Sequence, residues 1–171
     1  MSEIKLEIAI DAKPEKVWEV LGDFGNVYKW SPAIRASASV EGHERGGDAM
    51  RSCELPGFGS VNETVTEWSE GEGFTYLAEA TGPVKTAVSG WRVRPEGAGS
   101  VVTVAVDFKV RYGILGTVMD RLIVRRMLRR IVARSLAGLR HYVMTGEEVG
   151  DRLPEGVGTE NVREAAETVA A

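Results

Sequence analysis

The chain of 171 residues has one cysteine and two histidines. A single thiol, Cys53, excludes an internal disulfide and a cysteine-built zinc cluster. His43 and His141 are too few for a histidine metal site unless carboxylates complete it. No phosphate loop or dinucleotide fingerprint is present, because the glycines fall in turn-like clusters. No metal and no cofactor are therefore expected. No apolar run approaches the ~18 residues of a membrane span. The first residues, MSEIKLEIAID, alternate like a strand and do not resemble a secretory signal. A cytoplasmic protein without membrane contact is the expectation. The net charge is only −4, and a chain-wide basic footprint for nucleic acid is missing.

What is present suits a globular fold. Apolar residues make up 43% and charged residues 27%, enough for a real core. The length suggests one domain with a tail, divided near Gly146. Residues 147–171 hold seven acids against two arginines. They read as an acidic linker followed by a short helix opened by a capping box, Asn161 as N-cap and Glu164 at N3.

Ile4, Leu6, Ile8 and Ile10 alternate with polar or small residues and predict a half-buried strand. Pro14 suits the first turn of a helix, and Val17, Trp18, Val20 and Leu21 give that helix an apolar face. A second short helix is predicted over Phe24 to Trp30, ending at Ser31-Pro32. Six strands follow, at about 34–44, 47–55, 60–69, 73–80, 84–95 and 100–111, separated by glycine-rich turns. Such hairpins imply an antiparallel sheet.

The stretch Gly113 to Thr145 lacks proline and is rich in helix formers, so it predicts one long helix. Val124, Met127, Leu128, Ile131, Leu139 and Tyr142 share a face, with small Ser135 and Gly138 between them. Arginines 121, 125, 126, 129, 130, 134 and 140 crowd the other side. They are read as a solvated face whose stems cover apolar surface. Neutralisation by the acidic tail is a second reading, and attraction to an anionic membrane or a phosphate a third.

Register arithmetic singles out one pair. If the hairpin turn is centred on Gly57, Arg51 lies opposite Glu63, Ala49 opposite Val65 and Cys53 opposite Val61. A charge pair then sits on an otherwise apolar or small face, where it needs further hydrogen bonds to offset desolvation. A slip of one residue would turn both charges to solvent. Farther along, Ala87, Ser89, Trp91 and Val93 share one strand face. On the last strand Val102, Val104, Val106, Phe108 and Val110 do the same. The facing of Tyr76 is ambiguous, because the turn before it has an uncertain length.

Several short pieces, in this order and spacing, carry a family resemblance. They are Pro14-Glu15-Lys16-Val17-Trp18, Trp30-Ser31-Pro32, Arg51, Glu63, the turn Gly97-Ala98-Gly99-Ser100, and Asp120-Arg121-Leu122. Over residues 3–145 the chain resembles the START/birch-pollen-allergen (helix-grip, SRPBCC) superfamily, within it polyketide cyclase/dehydrase family 2. The resemblance implies an α+β helix-grip fold. A curved, seven-stranded antiparallel sheet would wrap the long C-terminal helix, with two short helices between strands 1 and 2. It also implies an apolar cavity between sheet and helix.

The residues expected to line that cavity are Arg51, Glu63, Val65, Tyr76, Ser89, Trp91, Val106, Phe108, Asp120, Val124, Met127 and Leu128. The loop Leu55-Pro56-Gly57-Phe58-Gly59 resembles the Leu-Pro gate of the plant abscisic-acid receptors in this superfamily. It reads either as a lid tipped by Phe58 or as an ordinary turn with Phe58 packed on a neighbour. The partner expected is a small hydrophobic or amphipathic molecule, lipid- or polyketide-like, bound by a monomer or homodimer. The catalytic alternative is an aromatase/cyclase or dehydratase, with Glu63 as acid–base group and Arg51 stabilising an anion. A third alternative is an interaction module acting through the tail.

Overall fold

The computed structural model describes residues 2–79, 82–111 and 117–165, apart from the side chains of residue 2 and of 117–121. The alternation at the N-terminus becomes strand β1 (Ser2–Ile10), which buries Ile4, Leu6, Ile8 and Ile10. Helix α1 (Pro14–Leu21) and a 3-10 helix (Phe24–Lys29) follow. Then come β2 (Ala36–Ser39), β3 (Met50–Leu55), β4 (Gly59–Ser69), β5 (Gly73–Ala78), β6 (Val84–Glu96) and β7 (Gly99–Val110). The long helix α2 (Thr117–Thr145) precedes a last short strand, β8 (Val162–Glu164). All eight strands form one sheet in the order β2-β3-β4-β5-β6-β7-β1-β8, and every neighbouring pair is antiparallel. The fold is α+β, as the resemblance implied.

Two expectations need correction. The sheet has eight strands, not seven, because residues 162–164 are a strand where a capped helix was expected. They pair with the open edge of β1, Leu6 opposite Glu164 and Ile8 opposite Val162. An unpaired sheet edge offers backbone donors and acceptors that a marginal ten-residue helix cannot outbid. Residues 166–171, the rest of that predicted helix, lie outside the described residues. The strand predicted over 34–44 is also shorter, only Ala36–Ser39. Residues 40–49 form a loop in which Gly42 and Gly46 hold φ of 81° and 99°, a region most side chains avoid.

Helix α1 is fastened to the β4–β5 turn through one carboxylate. Trp18 Nε1–H donates to Glu70 Oε1 at 2.9 Å and Trp68 Nε1–H to Glu70 Oε2 at 2.8 Å, while Arg45 pairs with the same group. The Trp18 hydrogen bond first, then Arg45 and Trp68, hold the Glu70 carboxyl at about 2, below its ordinary 4.5. A depressed carboxylate adds stability above its unfolded pKa and loses it as pH falls through the folded one. Glu70→Gln is therefore expected to lower the melting temperature above pH 4.5, by a gap that shrinks as pH falls towards 2. Melting curves taken across that window check this, and a gap independent of pH would exclude Glu70 as the titrating group.

Helix α2 runs about 43 Å at 1.5 Å per residue. Its burial changes along its length. In the N-terminal half Leu122 and Ile123 are 60% and 62% exposed, while Val124 is buried. From Val132 to Leu139 nearly every residue is buried except Arg134. The most enclosed positions are Leu136 and Leu139, with Val132 and Val143 beside them. The face expected through Met127, Leu128, Ile131 and Tyr142 is instead half-buried. The difference has a local cause. A Cβ at Gly138 would lie 2.1 Å from the carbonyl oxygen of Trp30 and 3.3 Å from Pro32 Cδ, so the Trp30–Pro32 loop lies directly on the helix backbone. Ser31 Oγ and Ser135 Oγ share a buried hydrogen bond of 2.8 Å in the same contact.

The arginine face is partly solvated and partly met by carboxylates. Arg129 pairs with Glu164 of β8 at 2.8 Å and Arg140 with Asp11 at 3.8 Å. The tail thus reaches both the sheet edge and the helix. Among the described residues no helix is long and apolar enough to cross a membrane.

Candidate functional site

The turn at Gly57 sets the register that builds the site. Gly57 and Gly59 hold φ of 83° and 86°, and Phe58 N–H donates to the Leu55 carbonyl at 3.0 Å. From there Leu55 faces Gly59, Cys53 faces Val61 and Arg51 faces Glu63. The parity of β3 and β4 turns Arg51 and Glu63 inward, where they are 5% and 7% exposed. Arg51 Nε–H donates to Glu63 Oε2 at 2.5 Å, and its second amino group lies 2.5 Å from the same oxygen. Arg51 also donates to the Phe24 carbonyl at 2.7 Å. Its guanidinium lies 3.9 Å from the centre of the Phe24 ring and 5.2 Å from that of Tyr76. The 3-10 helix that carries Phe24 is held in turn by β2, where Ser37 Oγ–H donates to the Gly25 carbonyl at 2.6 Å.

A β-bulge between Val65 and Glu67 decides where Tyr76 points. The shifted register sets Val65 opposite Tyr76 and Tyr76 opposite Ser89, so the phenol joins the polar cluster and hydrogen-bonds with Ser89. Burial, then the Glu63 charge, push the Tyr76 pKa up, so the hydroxyl stays protonated. Burial, followed by Glu63, also pushes the Cys53 thiol up to about 12. Cys53 is a protonated donor to Glu63 Oε2 at 3.7 Å, not a nucleophile. Burial disfavours the Arg51 charge, but Glu63 outweighs it, and the guanidinium titrates above its ordinary range. The result is a charge-neutral, largely satisfied cluster.

This cluster forms one end of an inner cavity of about 130 Å³. Val84, Ala87, Val104, Val106 and Trp91 form the sheet wall; Leu128, Ile131, Val132 and Ser135 form the helix wall. Val27, Trp30, Ser31, Ala33 and Ile34 close the third side. The indoles of Trp30 and Trp91 meet edge to face, ring centres 5.4 Å apart. Both indole N–H groups are buried without a hydrogen-bond partner among the described residues. Buried donors are rarely left so, and an unpaired one costs about 1–3 kcal/mol.

A second, outer cleft of about 600 Å³ adjoins the first. Ala33, Leu55 and Ile131 line both, so these three side chains form the partition. The outer walls add Pro32, Arg35, Pro56, Phe58, Ile123, Met127, Arg126, Arg130, Arg134 and Asp151.

The residues expected in the cavity divide into four groups. Arg51, Glu63, Tyr76, Ser89, Trp91, Val106 and Leu128 line the inner cavity. Val65, Phe108 and Val124 are buried in the core and line neither space. Phe108 and Val65 stand at positions where the sheet packs directly, so inward facing alone did not place them on the cavity. Met127 lines the outer cleft. The side chain of Asp120 lies outside the described residues. Of the gate loop, Leu55 is in the partition, whereas Pro56 and Phe58 line only the outer cleft. Phe58 is packed against Gly82, where a Cβ would come within 2.5 Å of its ring, so it sits on the neighbouring turn. The residues missed are Val61, Ala78, Glu79, Val84, Ala87, Val104, Ile131, Val132 and Ser135 on the sheet and helix walls and, as a whole third side, those of the Val27–Ile34 segment. The signal for that segment was the Trp30-Ser31-Pro32 triplet, which marked a family but gave no facing.

The fold and cavity define a helix-grip protein with an internal ligand-sized space. The profile of the family described as polyketide cyclase / dehydrase and lipid transport matches residues 1–144, and the chain belongs to that family. No curated protein matches the sequence. Among solved structures it is similar to the Zhui aromatase/cyclase from Streptomyces sp. R1128, with a TM-score of 0.73 and 16% identity over 84% of this chain and 93% of that one. It is similar to XoxI from Bacillus cereus, with a TM-score of 0.69 and 22% identity over 85% of this chain and 97% of that one. It is also similar to Ara h 8.0201, with a TM-score of 0.65 and 15% identity over 84% of this chain and 98% of that one. At these identities the likeness establishes the shared fold.

Proposed function

We propose that the protein binds a small amphipathic molecule, whose neutral end occupies the inner cavity. The observation that carries this is the pair of unpartnered indole donors, Trp30 and Trp91, on an apolar cavity that ends in a charge-neutral polar cluster. With a small turn of either ring towards the cavity that both residues line, a ligand carbonyl or hydroxyl oxygen supplies what those donors lack. A charged group does not fit there, because Glu63 already neutralises Arg51 and a further buried charge would go unpaired. At about 130 Å³ the inner space suits one ring or a short chain, close to a cavity that takes a benzene.

The catalytic alternative, an aromatase/cyclase or dehydratase using Glu63 and Arg51, is less well supported. Arg51 is held by Glu63 Oε2 and the Phe24 carbonyl at once, and Cys53 donates to that same oxygen, so of the pair chiefly Glu63 Oε1 is left to meet a substrate. Carriage or sensing demands only that the ligand fit. The test is a filled cavity. Ala87→Phe, with its fold checked by circular dichroism, is expected to weaken binding of 1-decanol at least about tenfold by tryptophan fluorescence. Native mass spectrometry of the purified wild type is expected to show a co-purified small molecule that this variant lacks. A folded Ala87→Phe protein that binds as well as the wild type overturns the proposal.

A further inference from the structure

The outer cleft differs from the inner cavity in charge. Arg126, Arg130 and Arg134 recur every four residues, so they form one stripe along α2, and all three line the cleft. Like charges at this spacing repel, so the stripe is unfavourable for the helix alone. None of the three makes an ion pair among the described residues, and the one carboxylate lining the cleft beside them without a basic partner is Asp151. Arg35, across the cleft, is already paired with Glu54 at 3.0 Å. The helix does take carboxylate partners where they are near, as at Arg129 and Arg140. The stripe, with Met127 beside it on the helix, shares a concave cleft with apolar Phe58, where a field of one sign is focused.

We propose that the outer cleft is an anion subsite and that the ligand is an anionic amphiphile. Its carboxylate or phosphate head is held by Arg126, Arg130 and Arg134, and its neutral end passes Ala33, Leu55 and Ile131 into the inner cavity. The proposal rests on the binding function argued above. Two features carry it together. Only the side chains of Ala33, Leu55 and Ile131 separate the two spaces, so their displacement joins them for one molecule, and the charges sort its ends: the neutral inner cavity rejects the anion that the cleft attracts. Guanidinium forks match the planar carboxylate and the phosphate alike.

The test compares decanoate, decyl phosphate and 1-decanol, which share a chain and differ at the head. Tryptophan fluorescence reads the inner cavity through Trp30 and Trp91. The wild type is expected to bind at least one anion about tenfold more tightly than decanol at low ionic strength. Raising salt to about 0.5 M, or the double change Arg126→Gln with Arg130→Gln, is expected to erase that preference by weakening the anions at least about tenfold more than decanol. The tighter anion assigns the head as carboxylate or phosphate. Equal affinity for all three probes in the wild type, or a preference that survives in the double variant, overturns the subsite. If no probe binds the wild type at all, the cavity reading fails first and the subsite with it. Arginine-dependent sedimentation with phosphatidylglycerol vesicles, without any preference for the free anions, would overturn it in favour of a membrane surface.

Discussion

Arg51→Ala is expected to destabilise the protein by about 3–5 kcal/mol, the range for removing one partner of a buried ion pair. The loss comes less from the broken attraction than from what remains. Glu63 is left without its partner in a site 7% exposed, and the Phe24 carbonyl loses its donor. The guanidinium also fills the space over the Phe24 ring, so truncation removes packing as well. The double change Arg51→Met with Glu63→Leu should recover most of the loss, because it removes both charges and refills the volume. Urea unfolding of the two single variants and the double variant measures the coupling. A loss under about 1 kcal/mol for Arg51→Ala would mean that solvent reaches Glu63 and that the inner cavity is wet at that end.

Gly138→Ala is expected to cost about 2–3 kcal/mol, where alanine in a helix interior ordinarily gains up to about 1 kcal/mol over glycine. The sign reverses because the new methyl would stand 2.1 Å from a backbone oxygen, that of Trp30, which cannot rotate away. Either the helix or the Trp30–Pro32 loop must move. Moving the loop breaks the Ser31–Ser135 hydrogen bond and shifts Trp30 in the cavity wall. The variant should therefore lose both melting temperature and decanol affinity. A gain in melting temperature would show that the loop does not rest on the helix.

The fold was legible wherever the chain itself carried the period. The alternation of β1 and β7, the turn at Gly57 and the uninterrupted stretch before Thr145 were enough for the sheet, the Arg51–Glu63 register and the long helix. Four features were hidden, each for a physical reason. The bulge between Val65 and Glu67 inserts a residue without any mark in the side chains, so the facing of Tyr76 could not be counted along the chain. Asn161 to Glu164 reads as a helix start because its local hydrogen-bonding options fit one. The free edge of β1, distant in sequence, made it a strand. The stripe on α2 was misjudged because periodicity describes a helix packed on one side. Around Gly138 the loop and the sheet enclose it from several sides. The third wall of the cavity, from Val27 to Ile34, was illegible for a related reason: short irregular segments have no period from which facing can be read.

The place of β1 in the sheet has a consequence for how the molecule is made. Strands β3 to β7 each lie beside the strand synthesised just before or after them. β1, made before the other strands described, must wait: Ile4 pairs with Val106, and Ile8 with Val102 and later Val162. At about 5–20 residues per second that interval is roughly 5–20 seconds. Throughout it, Ile4, Leu6, Ile8 and Ile10 belong to an apolar segment that lacks both of its sheet neighbours, the kind that other chains can template on. The three-residue strand that ends the sheet then covers the other edge of β1 at Leu6, Glu7 and Ile8.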